Sequence, residues 1–448
     1  MGQTEAPPVV REPAAAMRAL WSALDAAAAP ASTLATLGAL VRALGASDYG
    51  ILVIALAASG LSMAVNPAIA ATTTRFVSEL RGQRHPGGRT VAGVITVSLI
   101  TVAVIDLVLL LGTAVLNEPL SRWVFGTTVA PAPQVGQVLL LAVLVIGIQQ
   151  IEAVLAAAIR GLEHFRRQAL IEIFSRAILT AAVIIVAWHT RSLVAILIAQ
   201  CAVYVASTLA RAVALRRLLP DRRMFALPGW TEASKLFRYG GWMWLTALAG
   251  VAYASADRII IGRTLGAAAA GQYNIYVQIT QLIHFIPSSV FAFSFPAFSR
   301  LAAQGGTGSG EIARAYRKFF TAISATALGI AITMMLAWPL LLKIFAGTGF
   351  DGTQIGAAWL LGLNFLLLAC VVAPYYLMLA LGHARVVSMI SSASLVAALV
   401  LMVVLIPRYG LEGAAMSRLA YGLVTLAFLE RAHHHLRKAD GSHVPSNL

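Results

Sequence analysis

Twelve mostly apolar runs, each long enough to cross a bilayer, limit what this chain can fold into. A membrane-spanning helix needs about 20 consecutive, mostly apolar residues. Hydrophobic residues make up 59% of the chain and charged residues 11%, against roughly 45–50% and 25% in soluble domains. The chain is therefore predicted to be an all-α, polytopic membrane protein. The predicted spans are residues 17–41, 49–72, 91–116, 135–158, 169–188, 192–214, 238–261, 270–298, 318–342, 355–381, 386–406 and 411–430.

Two parts of the chain repeat each other at an offset of 221 in residue number. R-A-L-G-A-S-D-Y-G at 42–50 matches R-T-L-G-A-A-A-A-G at 263–271 in five of nine positions. The same offset relates Ser78 to Ser299, Leu80 to Leu301 and Gly161 to Gly382. We therefore expect two six-helix lobes related by a pseudo-twofold axis along the membrane normal, with a cleft between them where a transporter binds its substrate.

Loop composition predicts the domain limits and the orientation. Cytoplasmic loops accumulate Lys and Arg, and 24 of the 33 lie in the two tails and the even-numbered connections. Both termini are therefore predicted to be cytoplasmic, and the net charge of +15 is attributed to topology and not to nucleic acid. The predicted divisions are a disordered tail (1–16), an N-lobe (17–214), a cytoplasmic linker (215–237), a C-lobe (238–430) and a cytoplasmic tail (431–448).

Acidic residues inside spans are costly and are therefore functional candidates. The candidates for carrying a coupling ion are Asp25, Asp106, Glu152 and Asp257. A fifth acid, Glu172, is followed four residues later by Arg176, which is the spacing of an intrahelical ion pair. Asp106 and Glu152 have no basic residue nearby in sequence. Either acid can carry a coupling ion or simply face a watery cleft, and both readings stay open.

Arginines and polar residues in the spans are candidates for binding a phosphorylated sugar. Arginine binds phosphate bidentately and stays charged. The substrate-binding candidates are the deep Arg176 and Arg418, the end-of-span Arg75 and Arg258, and Tyr273, Gln278 and Gln281 along span eight. For the end-of-span arginines the alternative is snorkelling to lipid headgroups. For the polar side chains it is hydrogen bonding between helices.

Residue patterns typical of enzymes and of metal sites are absent from the sequence. Cys201 and Cys370 lie in apolar runs without metal or disulfide spacing, and the run 433–435 of three histidines is more typical of a solvated tail than of a metal site. No P-loop or nucleophile and base constellation is found, and the external connections are short. We therefore expect a protein that is not an enzyme and uses no cofactor or metal.

The stretch D-R-I-I-I-G-R-T-L-G-A-A-A-A-G-Q-Y at 257–273 resembles the Wzx-type polysaccharide flippases. These form the polysaccharide transporter branch of the superfamily that also contains multidrug and toxin extrusion (MATE) proteins. Three further stretches are similar: A-L-G-A-S-D-Y-G at 43–50, G-x-x-x-F-R at 161–166 and I-P-R-Y-G-L-E-G-A-A at 406–415.

The resemblance implies a MATE-like fold and a flippase of the bacterial inner membrane. Its implied substrate is a polyprenyl-pyrophosphate-linked oligosaccharide for lipopolysaccharide or exopolysaccharide synthesis, moved by alternating access with an ion gradient. Membrane lipids, a polysaccharide polymerase and chain-length proteins are the implied partners. The alternatives are a multidrug or metabolite exporter of the same superfamily and a membrane glycan polymerase or ligase, which the short external connections disfavour.

Overall fold

The computed structural model describes residues 12–60, 62–63, 66–82, 91–126, 133–219, 223–226, 248, 250–291, 294–305, 310–347 and 355–441. Residues 1–11 of the predicted disordered tail, most of the predicted linker 215–237 and residues 442–448 lie outside this part of the chain. Helix begins at Glu12, within the predicted tail. The backbone of Asp25 is helical, but its side chain lies outside the described part.

The described residues form helices and no strand. In chain order the helices are α1 (Glu12–Gly60), α2 (Asn66–Gly82), α3 (Val91–Val115), α4 (Asn117–Phe125), α5 (Pro133–Gly161), α6 (Phe165–Thr190), α7 (Leu193–Leu218), α8 (250–265), α9 (Ala267–Thr280), α10 (Leu282–Val290), α11 (Ser294–Gly305), α12 (Gly310–Leu336), α13 (Trp338–Phe345), α14 (Ile355–Ala380), α15 (Ala384–Thr425) and α16 (Ala427–Gly441).

Eight helices in the described part are long and apolar enough to cross a membrane. Twelve predicted spans are compatible with eight such helices for three reasons: some helices contain two spans, one span is divided into shorter helices, and one span is only partly described. Helices α1 and α15 each join two spans through a sharp bend, at Gly45 and at Gly410. Span eight is divided among α9, α10 and α11, and span seven is described only from residue 248. The fold is all-α and polytopic, with α1–α7 in the first half and α8–α16 in the second.

Backbone conformation confirms that the two halves are repeats. Gly45 (φ 76°, ψ 175°) and Gly266 (φ 91°, ψ 169°), which the offset of 221 relates, adopt the same left-handed conformation. Such a backbone is easily adopted only by glycine. Gly126 and Gly347 are related by the same offset and have φ of 75° and 79°. These four glycines share one end of the helical bundle, which we call the glycine end.

The pairing of Gly161 with Gly382 is wrong by two residues. At the end of α5, Glu163 N donates to Arg160 O and His164 N to Ile159 O. At the end of α14, Gly382 N donates to Leu379 O and His383 N to Met378 O. Gly382 therefore corresponds to Glu163 at an offset of 219. The second half is two residues shorter than the first between the glycine end and this turn.

The two halves meet closely at the glycine end, where α1 packs against α9. A Cβ added to Gly50 would lie 1.7 Å from the carbonyl oxygen of Ala267, and one added to Gly271 would lie 2.7 Å from that of Ala46. Gly50 and Gly271 are themselves equivalent positions of the two repeats and are in contact. The pseudo-twofold axis therefore passes between them, and only glycine lets the two backbones approach so closely.

Candidate functional site

A network of four charged side chains lies inside the first half. Arg211 of α7 pairs with Glu152 of α5 and with Glu172 of α6, and Arg176 Nε lies 2.7 Å from the Glu172 carboxylate. The Arg211 side chain is fully buried. We call these residues the first-half network. Two acids balance two arginines, and a buried ion pair is tolerated when its charges are matched and hydrogen-bonded.

Neutral side chains complete the first-half network. Arg176 Nη1 donates to Tyr204 Oη at 2.9 Å, and Ser207 donates to Glu152. Arg176, a predicted phosphate ligand, and Glu152, a predicted ion carrier, are thus both engaged with neighbours in this structure. The predicted Glu172–Arg176 pair is present. Arg211 was not predicted, because charge counting placed it in a cytoplasmic connection; the signal for its burial is its position between alanines inside an apolar run.

A second charged group lies in the other half, where α8 meets α15. Arg418 Nε lies 2.8 Å from Asp257 Oδ2, and both side chains are almost fully buried. Arg418 also donates to Tyr253 O at 3.3 Å and lies 4.7 Å from the centre of the Tyr253 ring. The other Asp257 oxygen accepts the backbone N–H of Arg258 at 2.8 Å. Asp257 is therefore fully used in holding Arg418 and the α8 backbone.

Arg258 gives this second group an excess positive charge. Its guanidinium donates to the carbonyl oxygen of Ala254, its Nε is buried without a hydrogen-bond partner, and no acid in the described part forms a salt bridge with it. We call Asp257, Arg258 and Arg418 the second-half group. It carries two positive charges and one negative charge, whereas the first-half network is balanced.

Tyrosines from both halves surround Arg258. Tyr49 of α1 and Tyr273 of α9 are near enough to interact with it electrostatically. Tyr49 Oη accepts a hydrogen bond from Asn274 Nδ2 at 2.7 Å, which joins the two halves. The hydroxyl of the buried Tyr273 has no hydrogen-bond partner within the described residues. The excess charge is therefore placed at the seam between the halves.

A cavity of about 420 Å³ adjoins the second-half group. It is lined mainly by aromatic and hydroxyl side chains, including Tyr253, His284, Ser288, Tyr375, Tyr376 and Tyr421. The Tyr253 and Tyr421 rings stack with their centres 3.9 Å apart, and Arg418 lies over Tyr253. No Asp, Glu, Lys or Arg is found in the described lining. Such a surface suits an uncharged ligand with ring faces and hydroxyl groups.

Three predicted substrate-binding residues lie outside both charged groups. Gln278 and Gln281 are hydrogen-bonded to each other at the end of α9. Arg75 is exposed on α2, with its guanidinium carbon 6.0 Å from the centre of the Phe76 ring. Their roles in substrate binding remain predictions.

Asp106 differs from Glu152 and Asp257, the two other predicted ion carriers whose side chains the structure describes. Its Oδ1 accepts from Gln150 Nε2 at 2.7 Å, its Oδ2 is buried without a partner, and no salt bridge to it is found within the described residues. Glu152 and Asp257 each have an arginine partner.

Sequence comparison places the chain near proteins of polysaccharide assembly. A family model described as "polysaccharide biosynthesis protein" matches residues 33–302. A Shigella flexneri protein provisionally described as an O-antigen transporter is 26% identical over 183 residues. That match covers 41% of this chain and 43% of the relative, so less than half of either chain is aligned.

Solved structures of two kinds of transporter share the fold. The MATE multidrug transporter DinF-BH has a TM-score of 0.67 and 13% identity, covering 97% of this chain and all of that one. The lipid II flippase MurJ in an inward closed conformation has a TM-score of 0.65 and 10% identity, covering 95% of this chain and 90% of that one. At these identities the similarity establishes the fold and not the substrate.

Proposed function

The chain belongs to the polysaccharide biosynthesis protein family, and from this premise we propose that it flips polyprenyl-pyrophosphate-linked oligosaccharides across the bacterial inner membrane. The family match, the relative described as an O-antigen transporter and the fold shared with a lipid II flippase support this proposal. The protein acts as a transporter and not as an enzyme, and the oligosaccharide that it moves is used to build a surface polysaccharide. A polymerase and chain-length proteins would act on the transported oligosaccharide.

The observation that carries the proposal is the excess charge of Arg258. A cationic side chain in a membrane interior is costly unless it meets an anion. Asp257 lies near Arg258 but is already paired with Arg418, so one positive charge remains in excess within the described part of the chain. A pyrophosphate would supply the anion, and the guanidinium group suits bidentate recognition of phosphate oxygens. Arg258 is therefore the proposed ligand, with Tyr273 beside it and Arg418 held in place by Asp257.

The cavity next to this group is the proposed site for the sugars. Its volume of about 420 Å³ lies within the range of small-molecule sites. Tyrosine rings can stack on the apolar faces of sugars, while Ser288 and Ser391 can exchange hydrogen bonds with their hydroxyls. The polyprenyl tail would remain in the lipid, because an apolar chain does not need a binding site in the protein.

The contact between the halves provides the pivot for transport. We assign the glycine end to the external side, because Lys and Arg accumulate at the opposite end. In this assignment the structure is closed externally through Gly50 and Gly271. Rocking of the two halves would then expose the cleft to each side in turn, as in transporters built from parallel repeats.

The main competing function is export of cationic drugs, because multidrug transporters share the fold. The excess positive charge of the second-half group disfavours a cationic substrate at the seam. A glycan polymerase or ligase is disfavoured because the Ser288 hydroxyl in the cavity donates to Phe285 O at 3.0 Å and is not hydrogen-bonded to His284, the histidine of the described lining.

The proposed function is tested by replacing Arg258 in cells whose only copy of the protein is the variant. We expect Arg258→Ala to accumulate complete lipid-linked oligosaccharide on the cytoplasmic face of the inner membrane and to lose most surface glycan. Arg258→Lys should retain part of the activity, because a lysine keeps the charge but not the bidentate geometry. Arg122→Ala is the matched control, because Arg122 pairs with Glu118 on the exposed surface of α4.

Depletion of the whole protein provides the decisive comparison. Normal surface glycan in depleted cells, together with a changed tolerance of cationic drugs, would contradict flipping and favour export. Normal glycan in Arg258→Ala cells, but not in depleted cells, would contradict only the assignment of Arg258.

A further inference from the structure

Buried oxygen atoms without partners collect around the break in span two. Helix α1 ends at Gly60 and α2 begins at Asn66. The buried atoms that lack a hydrogen-bond partner in the described part include Ser59 Oγ and Asn66 Oδ1, which flank the break, and Asp106 Oδ2 and Gln150 Oε1. Leaving buried polar groups without partners is costly, so their concentration in one region needs an explanation.

Side-chain contacts connect three of the four positions. Gln150 Nε2 donates to Asp106 Oδ1 at 2.7 Å and to Ser62 Oγ at 3.3 Å. Ser62 Oγ in turn donates to Ser59 O at 2.8 Å. Gln150 is only 1% exposed. A carboxylate from α3, an amide from α5 and a hydroxyl from the break are thus held together inside the first half.

The electrostatics of this region favour a positive ion. Asp106 forms no salt bridge with any described residue, although a carboxylate inside a membrane protein normally meets a cation or faces water. The last turn of α1 adds carbonyl oxygens without helical partners and the negative end of a helix dipole. Both features lower the energy of a cation placed beside Ser62.

The fold itself does not require polar residues at these positions. Asp106 corresponds to Ala327 at the offset of 221, and Gln150 corresponds to Ala369 at the offset of 219 that relates α5 to α14. Both alanines are fully buried. The equivalent place in the second half is therefore packed with apolar side chains, and the polar group belongs to the first half alone.

We propose that Asp106, Gln150 and Ser62 bind a sodium ion at the break in span two, with Ser59 and Asn66 available to complete its coordination. Carboxylate, amide and hydroxyl oxygens are the ligands that hard cations prefer. One carboxylate matches the charge of a monovalent ion, and interrupted membrane helices are common sites for sodium in transporters. Sodium binding is independent of the proposed function, whereas its use as the coupling ion rests on that function.

Sodium binding is measured on the purified full-length protein by thermal unfolding in detergent. NaCl is titrated against choline chloride at constant total salt, so that general ionic effects cancel. We expect a saturable rise in melting temperature with sodium for the unchanged protein. Asp106→Asn and Gln150→Leu should weaken the apparent sodium affinity by at least about tenfold, since even changes to residues that only support the direct ligands typically cost 10–100-fold. Ser121→Ala, which removes a buried hydroxyl without a partner on α4, should leave it unchanged.

A second variant keeps the test decisive if Asp106→Asn fails to fold. Ser62→Ala removes only a hydroxyl and should still reduce the binding of radioactive sodium measured directly. An equal response to sodium and choline, or full affinity in Asp106→Asn and Ser62→Ala, would overturn the site. A stability that follows pH and not sodium, and loses this dependence in Asp106→Asn, would overturn it in favour of a proton. Sodium binding without any flipping would contradict the proposed function while leaving the site intact.

Discussion

Arg42 and Arg263 occupy equivalent positions in the two repeats and reach across the glycine end in opposite directions. Arg42, from the first half, donates to the carbonyl oxygens of Lys343 and Ile344 at the end of α13. Arg263, from the second half, places its guanidinium carbon 5.3 Å from the centre of the Trp123 ring in α4. Trp123 and Ile344 are equivalent positions as well. The pseudo-twofold axis therefore generates a pair of equivalent arginine contacts that tie the halves together.

Removing both arginines should loosen the closure of the glycine end. A hydrogen bond from a charged donor and a cation–π contact together contribute about 2 kcal/mol, roughly a thirtyfold change in equilibrium. We expect Arg42→Ala with Arg263→Ala to raise the external labelling of a cysteine placed at Ala270, which is buried in this structure. The Arg122→Ala protein is the control, because Arg122 is exposed and its salt bridge is with Glu118 of its own helix. Equal labelling of both proteins would show that the arginines do not hold the closure.

A methyl group at Gly50 should destabilise the contact between the halves. The added Cβ would lie 1.7 Å from the Ala267 carbonyl oxygen, so the backbones must separate. We expect Gly50→Ala to lower the free energy of unfolding by about 1–3 kcal/mol, as overpacking does elsewhere. Gly112→Ala, where no atom lies within 4 Å of the added carbon, should be neutral or slightly stabilising. Thermal unfolding in detergent measures both, and similar losses would refute the close contact.

Replacing Arg211 alone should destabilise the first half more than replacing Arg211 and Glu152 together. Arg211→Leu leaves Glu152 and Glu172 without their shared cation, and breaking a buried pair on one side costs about 3–5 kcal/mol. The double variant Glu152→Leu with Arg211→Leu should recover part of that loss. Unfolding in sodium dodecyl sulfate measures the cycle. Strictly additive effects of the two changes would contradict the pairing.

The hydroxyl of Tyr49 should stabilise the seam through Asn274. Tyr49→Phe leaves the buried Asn274 amide without its acceptor, which costs about 1–3 kcal/mol. Tyr409→Phe is the control because Tyr409 is exposed. We expect a lower melting temperature only for the Tyr49 variant. No difference between the two would mean that the hydrogen bond contributes nothing to stability.

The sequence alone determined the class of the protein and its repeat. Apolar runs of this length form helices in a membrane, because a helix satisfies its own backbone there, whereas the strands of a membrane barrel need only about 9–11 residues. The match between 42–50 and 263–271 predicted the repeat, and it could be seen because Gly45 and Gly266 share a backbone conformation that only glycine adopts easily. Local constraints of this kind are visible in a one-dimensional pattern.

Only the tertiary structure decided which charges are balanced. Arg211 meets Glu152, 59 residues earlier, and Arg418 meets Asp257, 161 residues earlier. Nothing in the spacing of these residues predicts the contacts, because they depend on which helix faces pack together. Arg258 and Asp106 look like their charged neighbours in sequence, yet neither forms a salt bridge in the described structure, because Asp257 beside Arg258 is paired with Arg418. The cost of a lone charge in a low-dielectric interior makes these two residues the strongest functional candidates.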